Sequence, residues 1–277
     1  MVAYATRQHG VVALTDAVTL DVTDEVATLT LNRPDARNAL TRGVSDALRD
    51  HLDEIEGRDD VRCVVVAGRG SAFSAGGDIE RMRERLESDE SLDDAVAALE
   101  RTTSETMSRV VDCPYPTVAK VGGPAVGAGA NLAIACDLQL ASSSASIGFV
   151  FRRVGLTVDA GTSYLLPRIV GENVAKELVY TGEVCDAERA ADLGLFNHVY
   201  PDEEFDERVD ALVDRIANGP TVAFRHAKRL VQDGFDKPLD RAMADEATAQ
   251  GIVFETADHE EGVEAFLEGR TPDFEGR

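Results

Sequence analysis

Two short stretches carry the residue types that could do chemistry. "SAFSAGGDIE" (71–80) and "PAVGAGANLA" (124–133) each follow an apolar run, use Gly and Ala at the tip and then turn helical. Small residues let a ligand atom reach backbone N–H groups, and a helix N-terminus adds positive potential there. Two such turns side by side would set two N–H donors on one oxygen, making an oxyanion hole for a carbonyl that gains negative charge. Asn131, the first polar group after the second turn, is uncharged and so does not repel such an anion. Other readings stay open. "GAGANL" lacks the third glycine of GxGxxG, which makes a dinucleotide fingerprint weak, and the absence of GK[ST] excludes a phosphate-cradling P-loop. Either loop alone could be a tight strand–helix turn with no ligand; the pair makes that reading less attractive.

The elements that must position these loops are legible in outline. Residues 17–31 alternate as two short strands, "VTLDVTD" and "VATLTLN", joined at Asp24–Glu25. Leu40, Val44, Leu48 and Leu52 recur at helical spacing. "VRCVVVAG" is a near-continuous apolar strand, as expected when both faces are covered. The charged stretch 78–111 reads as helical, with 79–100 a weakly packed cover beside a ligand site. "PTVAKVGG" is the next strand, and "CDLQLASSSASIGF" supplies two more. Alternating strands and helices predict an α/β core over residues 1–200, followed by a helical region over 201–277. In that region Val209, Leu212, Val213 and Ile216 form more of an apolar face than a solvated tail needs, which predicts contact with further copies of the chain.

Composition narrows the class. The chain has 277 residues, 44% of them hydrophobic, enough for a full core. Its net charge of −23, from 51 acidic against 28 basic residues, gives an acidic surface suited to a cytosol of high salt. It argues against nucleic acid, whose phosphates need basic patches. No run approaches the roughly 20 apolar residues of a membrane span. The first 20 residues lack a basic segment followed by an apolar one, so a cytoplasmic protein is expected. Cys63, Cys113, Cys136 and Cys185 are widely spaced, and the histidines are scattered, which predicts reduced buried thiols and no metal.

Five blocks occur together: "LNRPDARNAL", "FSAGGDI", "GAGANLAIACD", "GLTVDAGTSYLLPRIVG" and "AERAADLGLFNHV". In them the chain resembles the crotonase (enoyl-CoA hydratase/isomerase) superfamily, most of all its ring-1,2-epoxyphenylacetyl-CoA isomerase-like members. The resemblance implies an α/β fold, a spiral of ββα units with a helical C-terminal trimerisation region. It implies an acyl-CoA substrate whose thioester enolate rests on the N–H groups of Gly77 and Ala128. It places the adenine of coenzyme A near Ala75 and Ile79, the pantetheine entry at residues 35–37 around Ala36, and an aromatic contact at Phe266. The family's phosphate-binding lysine falls on Gly269, with Arg270 next door as a substitute.

The two glutamates of the family's hydratases correspond to Asn131 and Phe151, neither of which can act as a base. Asp159 falls where the dienoyl-CoA and ring-epoxide isomerases carry a catalytic aspartate; its other reading is an N-cap for the helix that follows. Phe149, Val150, Phe151 and Leu156 would form an apolar acyl pocket that raises its pKa. The resemblance thus implies an acyl-CoA isomerase with Asp159 as proton shuttle, acting on an enoyl-CoA or ring-epoxide acyl-CoA. The alternatives are an enoyl-CoA hydratase and a non-catalytic acyl-CoA- or RNA-binding member of the fold. No cofactor is expected, coenzyme A being part of the substrate. The expected partners are acyl-CoA and other copies in a homotrimer or homohexamer, with no nucleic acid and no membrane.

Overall fold

The computed structural model describes residues 17–277. The reading of the first residues as free of a targeting leader falls mostly outside that range. Strands β1 (Val18–Thr23) and β2 (Val26–Leu31) form an antiparallel hairpin. Asp24 and Glu25 at its tip both have positive φ, 49° and 63°, as a two-residue primed turn requires. From β2 onward the main sheet is parallel, through β3 (Cys63–Gly68), β4 (Thr117–Val121), β6 (Leu138–Ser142) and β9 (His198–Tyr200). Its order is β1-β2-β3-β4-β6-β9. Three short strands, β5 (Pro124–Val126), β7 (Ser146–Gly148) and β8 (Val184–Asp186), make a second sheet in the order β5-β7-β8.

One face of the main sheet is covered by α1 (Arg42–Glu56), which Thr41 caps by accepting the Val44 N–H at 3.3 Å. The expected helical stripe is buried there through Val44, Leu48 and Leu52, with Ile55 added. The charged stretch divides into α2 (Ile79–Leu86), α3 (Leu92–Leu99) and α4 (Glu105–Val111). α2 buries no residue and α3 only Ala95, so this cover is held loosely. Helix α5 (Ala128–Ala135) is buried along its whole length. After it come α6 (Thr162–Val170), α7 (Glu172–Thr181) and α8 (Ala187–Asp192), then α9 (Phe205–Ala217), α10 (Thr221–Gly234), α11 (Leu239–Val253) and α12 (Ala257–Glu268).

The apolar face expected to meet further copies of the chain packs within it. Val209 and Val213 of α9 are buried against Cys63, Val65, Val118 and Leu140 of the chain's own sheet, with Leu212 and Ile216 packed beside them. A near-continuous apolar strand such as β3 exposes two faces, and α9 is the element that covers the second. The face is therefore used within the chain. α10 is tied to the same region by Lys228, whose ammonium lies 2.9 Å from Asp137 and donates to the Tyr115 carbonyl at 3.2 Å.

All four cysteines are buried free thiols. Burial pushes the Cys63 thiol up to about 12, which makes it a packing residue rather than a nucleophile. Among the described residues no helix is long and apolar enough to cross a membrane.

Contact between the two glycine loops rests on absent side chains. A Cβ at Gly129, in the first turn of α5, would lie 2.4 Å from the Ser74 carbonyl oxygen and 2.7 Å from its Cβ. Gly129→Ala is therefore expected to destabilise the fold by about 1–3 kcal/mol, the range for overpacking a tight site. Gly251→Ala, in α11 with open space around it, is expected to be neutral or stabilising. Urea midpoints of the two variants check the contrast.

Candidate active site

The two loops meet backbone to backbone. Ser74 and Ala125 form an isolated parallel bridge, in which the Ser74 N–H donates to Pro124 O at 3.2 Å and Val126 N–H to Ser74 O at 3.0 Å. Gly76 sits at φ +85°, and a Cβ there would be 2.5 Å from Val126 O and 3.2 Å from the Ala128 nitrogen. Gly127 has φ +55° and donates to Gly148 O at 2.8 Å. Gly77 and Ala128, the residues that follow these two glycines, thus flank one point of contact. Among the described residues neither N–H has a protein acceptor. Two donors without a described acceptor thus lie at one loop junction, one of them opening the buried helix α5, and such groups are what an oxyanion hole uses.

Polar side chains that the sequence reading passed over hold the first loop in place. Asn38 is buried and donates to Arg69 O at 3.0 Å and Ala72 O at 2.8 Å, while its Oδ1 accepts the Arg33 N–H. The Ser74 hydroxyl donates to Asn38 O at 2.8 Å and accepts the Gly76 N–H at 3.2 Å. Ala75 N–H donates to Arg37 O at 2.8 Å, which brings Ala75 beside the short helical turn Pro34–Ala36. Ala36, Ala75 and Ile79 are all exposed around this junction.

The second polar group centres on α5. Asn131 is wholly buried, one helical turn and about 4.5 Å along the axis from Ala128. Its amide donates to Asp159 Oδ1 at 3.1 Å and to the Asp159 carbonyl at 3.2 Å. The buried Thr162 hydroxyl lies 2.5 Å from Asn131 Oδ1 and 2.8 Å from Asp159 O, with one proton to share between them. This contact fixes which end of the amide faces the carboxylate. Asp159 is not an N-cap: Gly161 occupies the cap position of α6, and no side chain bonds there. Ala160 carries a positive φ of 48°, a conformation that a residue with a Cβ adopts only under constraint, and it turns the chain so that Asp159 meets Asn131. Burial pushes the Asp159 carboxyl above the ordinary carboxylate range, against the opposing pull of the Asn131 hydrogen bond.

The remaining expected positions are dispersed. Phe149 and Phe151 are both buried within the main core cluster, while Leu156 is half exposed and is not an enclosed pocket wall. Val150 approaches the loop tip, its Cγ2 being 4.0 Å from where a Cβ on Gly127 would sit. Phe266 is 85% exposed on α12, far in sequence from the loops and without a described contact to them. Arg270 is already engaged: its guanidinium pairs with Glu261 at 2.5 Å and Glu268 at 2.7 Å, so it is not the free cation expected there.

Comparison with known proteins identifies the fold that carries these loops. The family model for enoyl-CoA hydratase/isomerase matches residues 21–277. The chain belongs to this enoyl-CoA hydratase/isomerase family, and its two sheets and terminal helices are the crotonase fold. It is 33% identical to a crotonyl-CoA hydratase from Syntrophomonas wolfei, over 93% of this chain and 97% of that one. It is 32% identical to the 1,2-epoxyphenylacetyl-CoA isomerase of Escherichia coli, over 91% and 95%. A solved enoyl-CoA hydratase from Bacillus anthracis superposes with a TM-score of 0.87 at 32% identity, over 94% of this chain and all of that one.

Thr162 gained no role from the sequence; the signal that could have found it is the spacing in "DAGT", which puts a hydroxyl three residues after the aspartate. Removing it should leave the Asn131 amide free to turn its oxygen toward Asp159, favouring the protonated carboxyl. In Thr162→Val the Asp159 titration, followed by carboxyl 13C NMR, is expected at higher pH than in the wild type. Thr162→Ser, which keeps the hydroxyl, is expected to leave it in place.

Proposed function

We propose that the protein is an acyl-CoA isomerase that holds a thioester enolate on the Gly77 and Ala128 N–H groups and moves a proton with Asp159. The observation that carries this reading is the partly buried Asp159 carboxylate, held by the Asn131 amide one helical turn from Ala128. The carboxylate takes a proton from an activated carbon of the acyl chain, and the electron pair of that C–H bond moves onto the thioester oxygen. Two N–H donors stabilise the charge, each worth about 10²–10³-fold in rate. The same carboxyl then returns the proton to a second carbon and the carbonyl re-forms, so atoms and charge balance. Raised by burial, Asp159 is a stronger base than an exposed carboxylate. Asn131 supplies orientation without charge, and Phe151 offers a ring where the hydratases of the family carry a second carboxylate. In this proposal Ala36, Ala75 and Ile79 border the path of coenzyme A, and Phe266 contacts it from α12. An enolate needs only the two N–H donors, so no cofactor is called for.

A second reading, enoyl-CoA hydratase, is favoured by the likeness to a crotonyl-CoA hydratase. Asp159→Asn separates the two. Isomerisation of a β,γ-enoyl-CoA is expected to fall by about 10²–10⁴-fold while acyl-CoA binding persists. Hydration of crotonyl-CoA that survives the substitution would establish the hydratase instead. Stability gives an independent readout. Burial raises the folded-state pKa of Asp159 above its unfolded value, so the folded chain loses stability as pH rises between those two values. Asp159→Asn removes that penalty, and its melting temperature is expected to match or exceed the wild type at neutral pH, with the advantage vanishing in acid.

The assembly proposed is a homotrimer or homohexamer. Its support on the chain is the set of exposed apolar side chains of the terminal helices, Val231, Leu239, Met243 and Phe266 among them, together with Phe235 and Phe254 at the helix ends. Light scattering is expected to give three or six copies; a monomer in molar KCl would overturn this.

A further inference from the structure

In a chain with 51 acidic and 28 basic residues, a cavity of about 240 Å³ is lined by four arginines. Arg42 and Arg49 come from α1, Arg81 from α2 and Arg101 from the helical turn Glu100–Ser104 after α3. Two carboxylates, Asp46 and Glu105, share the lining. Asp46 pairs with Arg49 at 2.5 Å and more loosely with Arg42 at 3.6 Å. Arg49 is locked further by donating to Thr102 O at 3.1 Å and the Thr106 hydroxyl at 2.9 Å. Among the described residues the Arg81 and Arg101 guanidiniums have no acceptor, and Glu105 makes no ion pair. Four positive groups against two negative ones leave an uncompensated excess in a small concave space. Such groups repel one another unless an anion sits between them. A guanidinium offers paired N–H donors that match the two oxygens of a carboxylate or phosphate.

The position of this cavity ties it to the proposed reaction. Two of the elements that line it meet the first glycine loop, one following it in the chain and one hydrogen-bonded to it. α2 begins two residues after Gly77, and a Cβ on Gly77 would lie 2.9 Å from Met82 Cε, next in the chain to Arg81. On the other wall, Leu40 bridges to Gly77, its N–H donating to Gly76 O at 2.7 Å, and Arg42 follows two residues later. The space is smaller than the roughly 300–1,000 Å³ of pockets that enclose whole drug-sized ligands, so it fits the end of a chain better than a nucleotide.

We propose that this arginine pocket receives a carboxylate carried at the far end of the acyl chain, making the preferred substrate an ω-carboxyacyl-CoA. The inference rests on the acyl-CoA reading above and specifies its substrate class. Calorimetry with saturated, unreactive thioesters tests it: ω-carboxyacyl-CoA and plain acyl-CoA in a matched series of chain lengths, alongside free coenzyme A and inorganic phosphate. Arg81 and Arg101 are both exposed, so the double variant Arg81→Gln/Arg101→Gln leaves no buried gap. The wild type is expected to bind one carboxylated chain about tenfold or more tightly than its plain counterpart, a difference of about 1.4 kcal/mol or more. The double variant is expected to lose that preference. Equal affinity for the two series overturns the inference and leaves the acyl-CoA reading standing. An equal loss for every thioester and for free coenzyme A in the double variant assigns the arginines to the coenzyme's phosphates and also overturns it. So does phosphate binding that the variant abolishes with no preference among the thioesters. Failure to bind any thioester overturns the acyl-CoA reading and this inference together.

Discussion

Backbone-to-backbone contact between two strand-end loops is the constraint on which the rest of the molecule depends. Hydrogen bonds on both sides of the Ser74–Ala125 bridge draw the loops together. Gly76 and Gly129 permit the approach, since a methyl group at either would collide with a carbonyl oxygen of the facing loop. A parallel sheet makes the meeting possible. β3 and β4 are neighbours running the same way, so the chain leaves both at the same edge. The loops that follow must then share one end of the molecule, which is where ligands collect in open parallel sheets. Burying α5 completely holds its first N–H groups in fixed positions at that end.

Around that junction, polar atoms are buried only where each has a task. Asn38 and Ser74 satisfy the carbonyls and N–H groups of a loop with no regular structure, which keeps a glycine-rich segment in one conformation. Asn131, Thr162 and Asp159 form a chain in which a hydroxyl orients an amide and the amide orients a carboxylate. Two opposed effects act on Asp159: loss of water favours its neutral form, and the Asn131 N–H favours its charged form. The balance leaves a carboxyl that is more basic than an exposed one yet held in a single orientation. The strained φ of Ala160 lies within this chain, where local geometry is set by the site rather than by helix or strand preference.

The surface tells a different story from the core. A strongly acidic exterior surrounds a few places where cations converge, and those places differ in how their charges are met. At Arg270 two glutamates neutralise the guanidinium, and the cation serves the end of α12. At Lys228 a partly buried ion pair with Asp137 fastens α10 to the sheet. Between α1 and the loosely packed cover helices, the charges of Arg81 and Arg101 are left unmet among the described residues.

The sequence alone determined the longer sheet-forming segments, the first helix and the two glycine loops. Their signals are local: alternation, apolar runs, helical spacing and the demand for small residues at a tight turn. The blocks "FSAGGDI" and "GAGANLAIACD" also carried the family. What the sequence left undecided were matters of pairing between distant segments. β5 and β8 have three residues each, too few for a periodic signal, and exist because β7 lies between them. The apolar face of α9 read as a contact with another copy of the chain but packs on the sheet, because periodicity reports that a face is covered and not by what. Asp159 read as a helix cap or as a base. The fold gives the cap position to Gly161 and sets Asn131 against the carboxylate, which removes the cap reading. Thr162 and the four arginines carry no local pattern at all. Their meaning comes from neighbours tens of residues away in the chain, and a hydrogen bond or a cavity between such groups appears only once the chain is folded.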